Sequence, residues 1–167
     1  MESHSTIVGV VIALIILLPL IFIQTTQKHK KKTSKKIFLN LALKNNLNIS
    51  ESDFWGTYYA IAIDELANKL IYSRIIDNEH HISIINLSLV DSCEIARTNR
   101  TFKNKTTNKI ETDKIDLIIG YKSSQKTKEV LEFYNVDVNI EMSNESSLLE
   151  KWEEKIKSRI LKKAQAA

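Results

Sequence analysis

Residues 7–23 read IVGVVIALIILLPLIFI, seventeen positions without a charge, and the next charges arrive together in the run KHKKKTSKK. No face of that stretch is polar, so a helix on the surface of a globular domain has no way to accommodate it. At about 1.5 Å per residue it reaches roughly 26 Å, close to the ~30 Å hydrocarbon core of a bilayer. Thr6 and Gln24, with local thinning, cover the difference. A cleaved signal peptide would open with basic residues and close on small ones. Here MESHST holds no Lys or Arg and the run ends LIFIQTTQ, so the sequence predicts an uncleaved anchor. Pro19 suits a membrane helix, where neighbouring groups re-satisfy the freed backbone carbonyl.

Lysine asymmetry orients the anchor. Lys28, Lys30, Lys31, Lys32, Lys35 and Lys36 follow the apolar run, and no basic residue precedes it. Such an excess marks the cytoplasmic side. The expectation is a single-pass protein of the inner (plasma) membrane, N-terminus outside and residues 24–167 in the cytoplasm. Its partners would be the lipid bilayer through residues 7–23 and anionic lipid headgroups through the lysines, each contributing about 1 kcal/mol of attraction. Beyond those six lysines the chain is close to neutral, with 18 basic residues facing 19 acidic ones. The basic character is thus local to the membrane surface, and nucleic acid is not an expected partner. Cys93 is the only cysteine, so no disulfide can form within the chain, which fits a reducing compartment.

Three segments follow: residues 1–23 as tail and anchor, 24–33 as a basic juxtamembrane linker, and 34–167 as one cytoplasmic α+β domain. SKKIFLNLALKNNL (34–47) reads as a helix with Ser34 at its cap and Ile37, Phe38, Leu41 and Ala42 on one face. Ile- and Tyr-rich runs at 55–64, 69–76, 80–87, 92–98, 114–121 and 128–135 read as strands, with ELAN, SLVD and KSSQKT as connections. VDVNIEM (136–142) alternates strictly and reads as a further strand or a continuation across a bulge. A helix at 146–163 carries the stripe Leu149, Trp152, Ile156 and Ile160, with Ser147 and Glu150 as a capping box and a Glu153–Lys157 pair on its opposite face.

Six or seven short antiparallel strands closed by one C-terminal amphipathic helix resemble a pleckstrin-homology-like barrel. The likeness rests on the meander Trp55–Met142, on INLSLVDSCEIART as a strand–corner–strand segment, and on LLEKWEEKIKSRI. The whole chain resembles small membrane-anchored bacterial proteins of the Bacteroidota type. The resemblance implies a small antiparallel β-barrel or sheet and a role in binding lipids, peptides or proteins rather than in catalysis, although fold alone does not establish function.

The residues themselves point the same way. After the anchor the only glycines are Gly56 and Gly120, and there is no proline. Phosphate-cradling loops need several glycines for backbone approach, so nucleotide fingerprints are excluded and no cofactor is expected. Turns must lean on Asn, Asp and Ser. His80 and His81 are adjacent and would point to opposite faces of a strand, so they cannot chelate one metal together. Cys93 sits between Asp91 and Glu94, whose charge would raise its pKa rather than activate it. Asp64 and Glu65 read as a hairpin end. The acid-free stretch RTNRTFKNKTTNK reads as a basic β-hairpin or mobile loop carrying Arg97, Arg100, Phe102, Lys103, Lys105 and Lys109. It is either a solvated loop or a contact for anionic lipid or an acidic partner. The functional expectation is a membrane-tethered cytoplasmic binding or scaffolding module, not an enzyme. The alternatives are an enzyme subunit with an unrecognised site or a structural subunit of a membrane complex.

Overall fold

The computed structural model describes residues 15–19, 31–56, 59–77, 79–103, 108–122, 128–139, 142 and 144–164, without the side chains of 102, 103, 108, 109 and 161–164. The chain forms two compact units, Met1–Leu41 and Ala42–Ala167. In the first, residues 15–19 are helical and exposed. The rest of the expected membrane span, residues 7–14 and 20–23, lies outside the described residues. Among the described residues no helix is long and apolar enough to cross a membrane.

Helix α1, described over residues 31–44, takes in the end of the stretch expected to be a linker. Ser34 therefore lies within the helix rather than at its cap. Phe38 and Ala42 are buried and Leu41 half-buried, whereas Ile37 is exposed. The helix ends three residues short of the expected Leu47, and the reason is local. Asn46 takes a left-handed φ of 55°, with Asn46 N–H bonded to Leu43 O (2.9 Å) and Leu47 N–H to Ala42 O (3.0 Å). That pair of bonds is a Schellman stop, and Leu47 is buried beyond it.

Seven antiparallel strands follow in the second unit: β1 Glu51–Trp55, β2 Tyr59–Asp64, β3 Lys69–Ile76, β4 Glu79–Asn86, β5 Val90–Lys103, β6 Asn108–Tyr121 and β7 Lys128–Asn135. They form a four-stranded sheet in the order β1-β2-β3-β4 and a three-stranded sheet in the order β5-β6-β7. The architecture is α+β as expected, but no barrel closes; the strands divide between two sheets. The handover is a single 3₁₀ turn, Leu87–Leu89, where the Asn86 side chain accepts the Ser88 N–H at 3.0 Å. The tight turns rest on Asn and Asp, as glycine scarcity requires: Asn68 and Asp77 have φ of 52° and 51°.

Two strand expectations are corrected. WGTYYAIAID is not one strand, because the chain turns at Gly56 (φ 53°) and Trp55 closes β1 while Tyr59 opens β2. VDVNIEM is not a strand where it is described. The Asn135 side chain accepts the Asp137 N–H (3.0 Å) and its carbonyl accepts Val138 and Asn139 N–H (3.0 and 2.8 Å). An Asx turn thus overrides a short alternating pattern. Ile140 and Glu141 lie outside the described residues.

One core joins both sheets. Ile61, Ile63, Leu70 and Ile85 meet Ile115, Leu117, Ile119, Leu131 and Phe133, and helix α2, Glu145–Ala164, adds Leu149, Trp152 and Ile156. All six residues of β2 are buried, so the four-stranded sheet is covered on both faces there. Between the sheets a bulge in β7 leaves Phe133 as an extra residue: Glu132 pairs Asp116 and Tyr134 pairs Ile115. Trp55 Nε1–H donates to the Phe133 carbonyl (2.7 Å) and Tyr72 OH to the Glu132 carbonyl (2.5 Å). The Glu132 carboxylate also takes Tyr59 OH (2.7 Å), Arg74 (3.0 Å), Lys114 (3.4 Å) and Asn135 Nδ2 (3.1 Å). A buried carboxylate with that many partners is a cross-tie whose loss would strand charge in the interior.

Candidate binding surface

Helix α2 has two flanks, and they are built differently. Its apolar stripe is as the sequence predicts: Leu149, Trp152 and Ile156 are fully buried, and Ile160 packs against the core. The start differs. Glu145 is the first helical residue, so Ser147 lies inside the first turns and no S-x-x-E box forms. Asn144 precedes the helix and its carbonyl accepts Leu148 N–H at 3.0 Å.

On the β1 side, cations spaced four residues apart along α2 meet the carboxylates of β1 and the β2–β3 turn. Lys151 bonds Glu51 (2.7 Å) and Asp53 (2.6 Å), Lys155 bonds Glu51 and Glu65, and Arg159 bonds Glu65 (2.5 Å). Trp152 Nε1–H donates to Asp53 at 3.0 Å, so the core tryptophan is tied into the same strip. Lys151 first and then Lys155 hold the Glu51 carboxyl below its ordinary range; for Glu65 the order is Arg159 and then Lys155. Asp64, beside them, is buried and accepts Asn48 N–H (2.7 Å) and Ala67 N–H (2.8 Å), which is the hairpin-end role expected of it.

On the β5 side the tie is made by Arg97. Arg97 Nη2 donates to Ser146 Oγ (3.1 Å) and to Glu150 Oε1 (3.2 Å), with both charged side chains largely exposed. Glu150, read as half of a capping box with Ser147, is thus a partner of a strand arginine, and the serine beside it there is Ser146. Toward the C-terminal end of α2 the flank opens into a cleft of about 320 Å³ lined by Asp91, Ser92, Cys93, Glu94, Lys157 and Ile160. Side chains on a strand alternate between faces, so four consecutive residues can line one cleft only if the strand presents its edge to it. That edge is unpaired: among the described residues β5 pairs with β6 alone. Asp91 is the extra residue of a bulge between Val90 and Ser92, and opposite Ser92 stands Gly120. A Cβ at Gly120 would lie 2.3 Å from Ser92 Oγ, so the glycine lets that hydroxyl rest against the neighbouring strand.

Cys93, in the floor of the cleft, is buried, and its thiol is pushed up to about 12, first by burial and then by Glu153. The direction matches the expectation, but the principal cause is burial rather than adjacent acids. A thiol held neutral is a small apolar surface rather than a nucleophile. His80 lies 3.1 Å from Ser73 Oγ, and burial lowers its pKa.

The segment 97–109 is the hairpin alternative: it continues β5 and β6 beyond the point where β7 pairs, from Lys114 to Gly120. Asn99, Thr101, Ile110 and Thr112 share one face by register, and residues 97–101 and 110–111 are exposed. Arg100 pairs with Asp113 at 2.7 Å. Lys105 lies outside the described residues, as do the side chains of Phe102, Lys103 and Lys109. Lys31, Lys32, Lys35 and Lys36 are exposed on α1, while Lys28 and Lys30 lie outside the described residues. Of the candidate contact residues whose side chains are described, the structure brings Arg97 to α2 and Arg100 to β6. Sequence reading missed the cleft because its lining comes from residues assigned other roles, Lys157 to a helix pair and Ile160 to a core stripe. The Glu153–Lys157 pair does form, at 2.8 Å.

Comparison with known proteins finds no matching family model, no matching curated protein and no matching solved structure.

Proposed function

We propose that this chain is a membrane-tethered binding module whose Ala42–Ala167 unit captures an extended segment of a protein partner along the edge of β5. The observation that carries the reading is the unpaired β5 edge lining a cleft beside α2. An edge strand offers a row of backbone donors and acceptors, and a flanking cleft adds side-chain selectivity; together they are the requirements for recognition by strand addition. The order of seven antiparallel strands and one C-terminal amphipathic helix supports placing the unit among pleckstrin-homology-like modules. The apolar run 7–23 and the lysines that follow it support an inner-membrane anchor, a cytoplasmic domain and contact of Lys28 to Lys36 with anionic headgroups. Tethering raises the concentration of such a module near partners in the same membrane. Lipid contact by the hairpin 97–109 is a weaker reading, because Arg97 and Arg100 are already paired with Glu150 and Asp113.

The test fills the cleft. Lys157 is exposed on α2, and Lys157→Trp would block the β5 edge while removing only the surface pair with Glu153. Full-length protein purified from membranes in mild detergent should retain a partner that the Lys157→Trp protein loses, with both proteins melting at the same temperature. Retention of the same partner by both proteins would place binding elsewhere.

A further inference from the structure

We infer that the β5–α2 cleft selects a cationic segment: an extended stretch of a protein partner that adds to β5 and sets one Lys or Arg side chain between Asp91 and Glu94. The inference rests on the strand-addition reading and names the chemistry of what fills the site. Asp91 and Glu94 are exposed at the rim. The cation that lines the cleft, Lys157, is bonded to Glu153 and contributes no net charge with it. Lys157 also attracts Glu94, but Asp91, Glu94 and Glu153 together outnumber this one lysine, so the rim keeps a net negative charge. The opposite flank of α2 is the contrast, since there Glu51, Asp53 and Glu65 are each matched by Lys151, Lys155 or Arg159.

The floor completes the argument. Cys93 is a neutral thiol and Ile160 a partly buried hydrocarbon, so the bottom of the cleft is apolar while its rim is anionic. A Lys or Arg side chain has that same division, an aliphatic stem and a charged tip. Its stem would cover Cys93 and Ile160 and its head would reach the rim carboxylates. A strand added to β5 turns alternate side chains to the same face, so the residues two positions on either side of the cation face the cleft as well and should be small and uncharged. A glutamate at the central position would meet like charge, which strand geometry gives no means of avoiding.

The experiment uses the full chain in phosphatidylcholine nanodiscs, so that the lipid itself does not attract charged peptides. The probes are three end-blocked peptides of about nine residues, long enough to run along the described edge. They alternate Thr and Val and differ only in a central Lys, Gln or Glu. The Lys peptide should bind about fivefold more tightly than the Gln peptide, the scale of one partly exposed ion pair, and the Glu peptide should bind least. The double substitution Asp91→Asn, Glu94→Gln should equalise the three, and added salt should narrow the spread for the unsubstituted protein. Equal affinities for all three peptides, or a Lys preference that survives the double substitution, would overturn the cationic assignment and leave strand addition standing. Binding unaffected by Lys157→Trp, or no binding of any peptide, would overturn strand addition and the cationic assignment with it.

Discussion

The two flanks of α2 are made from the same kinds of residue and do opposite things. Toward β1, three cations and three carboxylates interlock and take in the indole of Trp152 through Asp53. Toward β5, Arg97 reaches across to Ser146 and Glu150, and two to three turns further along the helix a cleft lies beside the strand. Charge is abundant on both sides, so the difference is one of placement. Where acids and bases alternate across the seam they interlock, and beside Asp91 and Glu94 a local cleft remains.

The sharpest way to break this comparison is to remove what both flanks share. Trp152→Ala would delete the largest fully buried side chain and the hydrogen bond to Asp53, and should cost about 3–5 kcal/mol in denaturant unfolding. A loss below about 1 kcal/mol would mean that α2 is not held by its stripe. Next comes the closed flank. Asp53→Ala leaves Trp152 Nε1–H without its acceptor and removes one partner of Lys151, for an expected loss of about 1–2 kcal/mol. Arg97→Ala, on the open flank, should cost less than about 1 kcal/mol because both partners are largely exposed. If Arg97→Ala proves more damaging than Asp53→Ala, the assignment of closed and open flanks is reversed.

The smallest effect is in pH. Glu51 ionises below its ordinary value of 4.5 because Lys151 and Lys155 favour the carboxylate. A lowered folded-state pKa contributes stability that is fully present above the unfolded value and is lost as pH falls through the folded one. Glu51→Gln should therefore flatten the acid side of the melting-temperature profile and leave Arg97→Ala with a slope like the unsubstituted protein. An unchanged acid slope in Glu51→Gln would remove the closed flank from the account of acid sensitivity. Asp116 works in the opposite sense: burial raises its pKa, so its contribution favours the fold at low pH and is lost as pH rises.

Much of this fold is legible because local pattern and tertiary role agree. The stripe Leu149, Trp152, Ile156, Ile160 repeats at helical spacing and is the face that α2 buries. The runs at 69–76 and 128–135 coincide with β3 and β7, and the scarcity of glycine correctly transfers the left-handed turns to Asn46, Asn68 and Asp77. The misses fall where a local signal had a competitor. Glu51–Phe54 looks too polar for a strand and becomes one because β2 and the cations of α2 receive it. VDVNIEM alternates well enough to be a strand, yet Asn135 folds it into a turn.

What the sequence determined by itself is whatever depends on neighbours along the chain. That covers an apolar run too uniform for a surface helix, a helix with one buried face, strands of period two, turns built from Asn and Asp, and the exclusion of glycine-dependent phosphate sites. What the tertiary structure decided is whatever depends on distance in space. Arg97 meets Glu150 across 53 positions, and Lys151 meets Asp53 across 98. The division of seven strands into two sheets rather than a closed barrel, and the cleft between β5 and α2, belong to the same class. Periodicity fixes which face of an element is buried, but it carries no information about which distant element will cover that face or how completely. The edge of β5, unpaired among the described residues, exists only once the fold has formed.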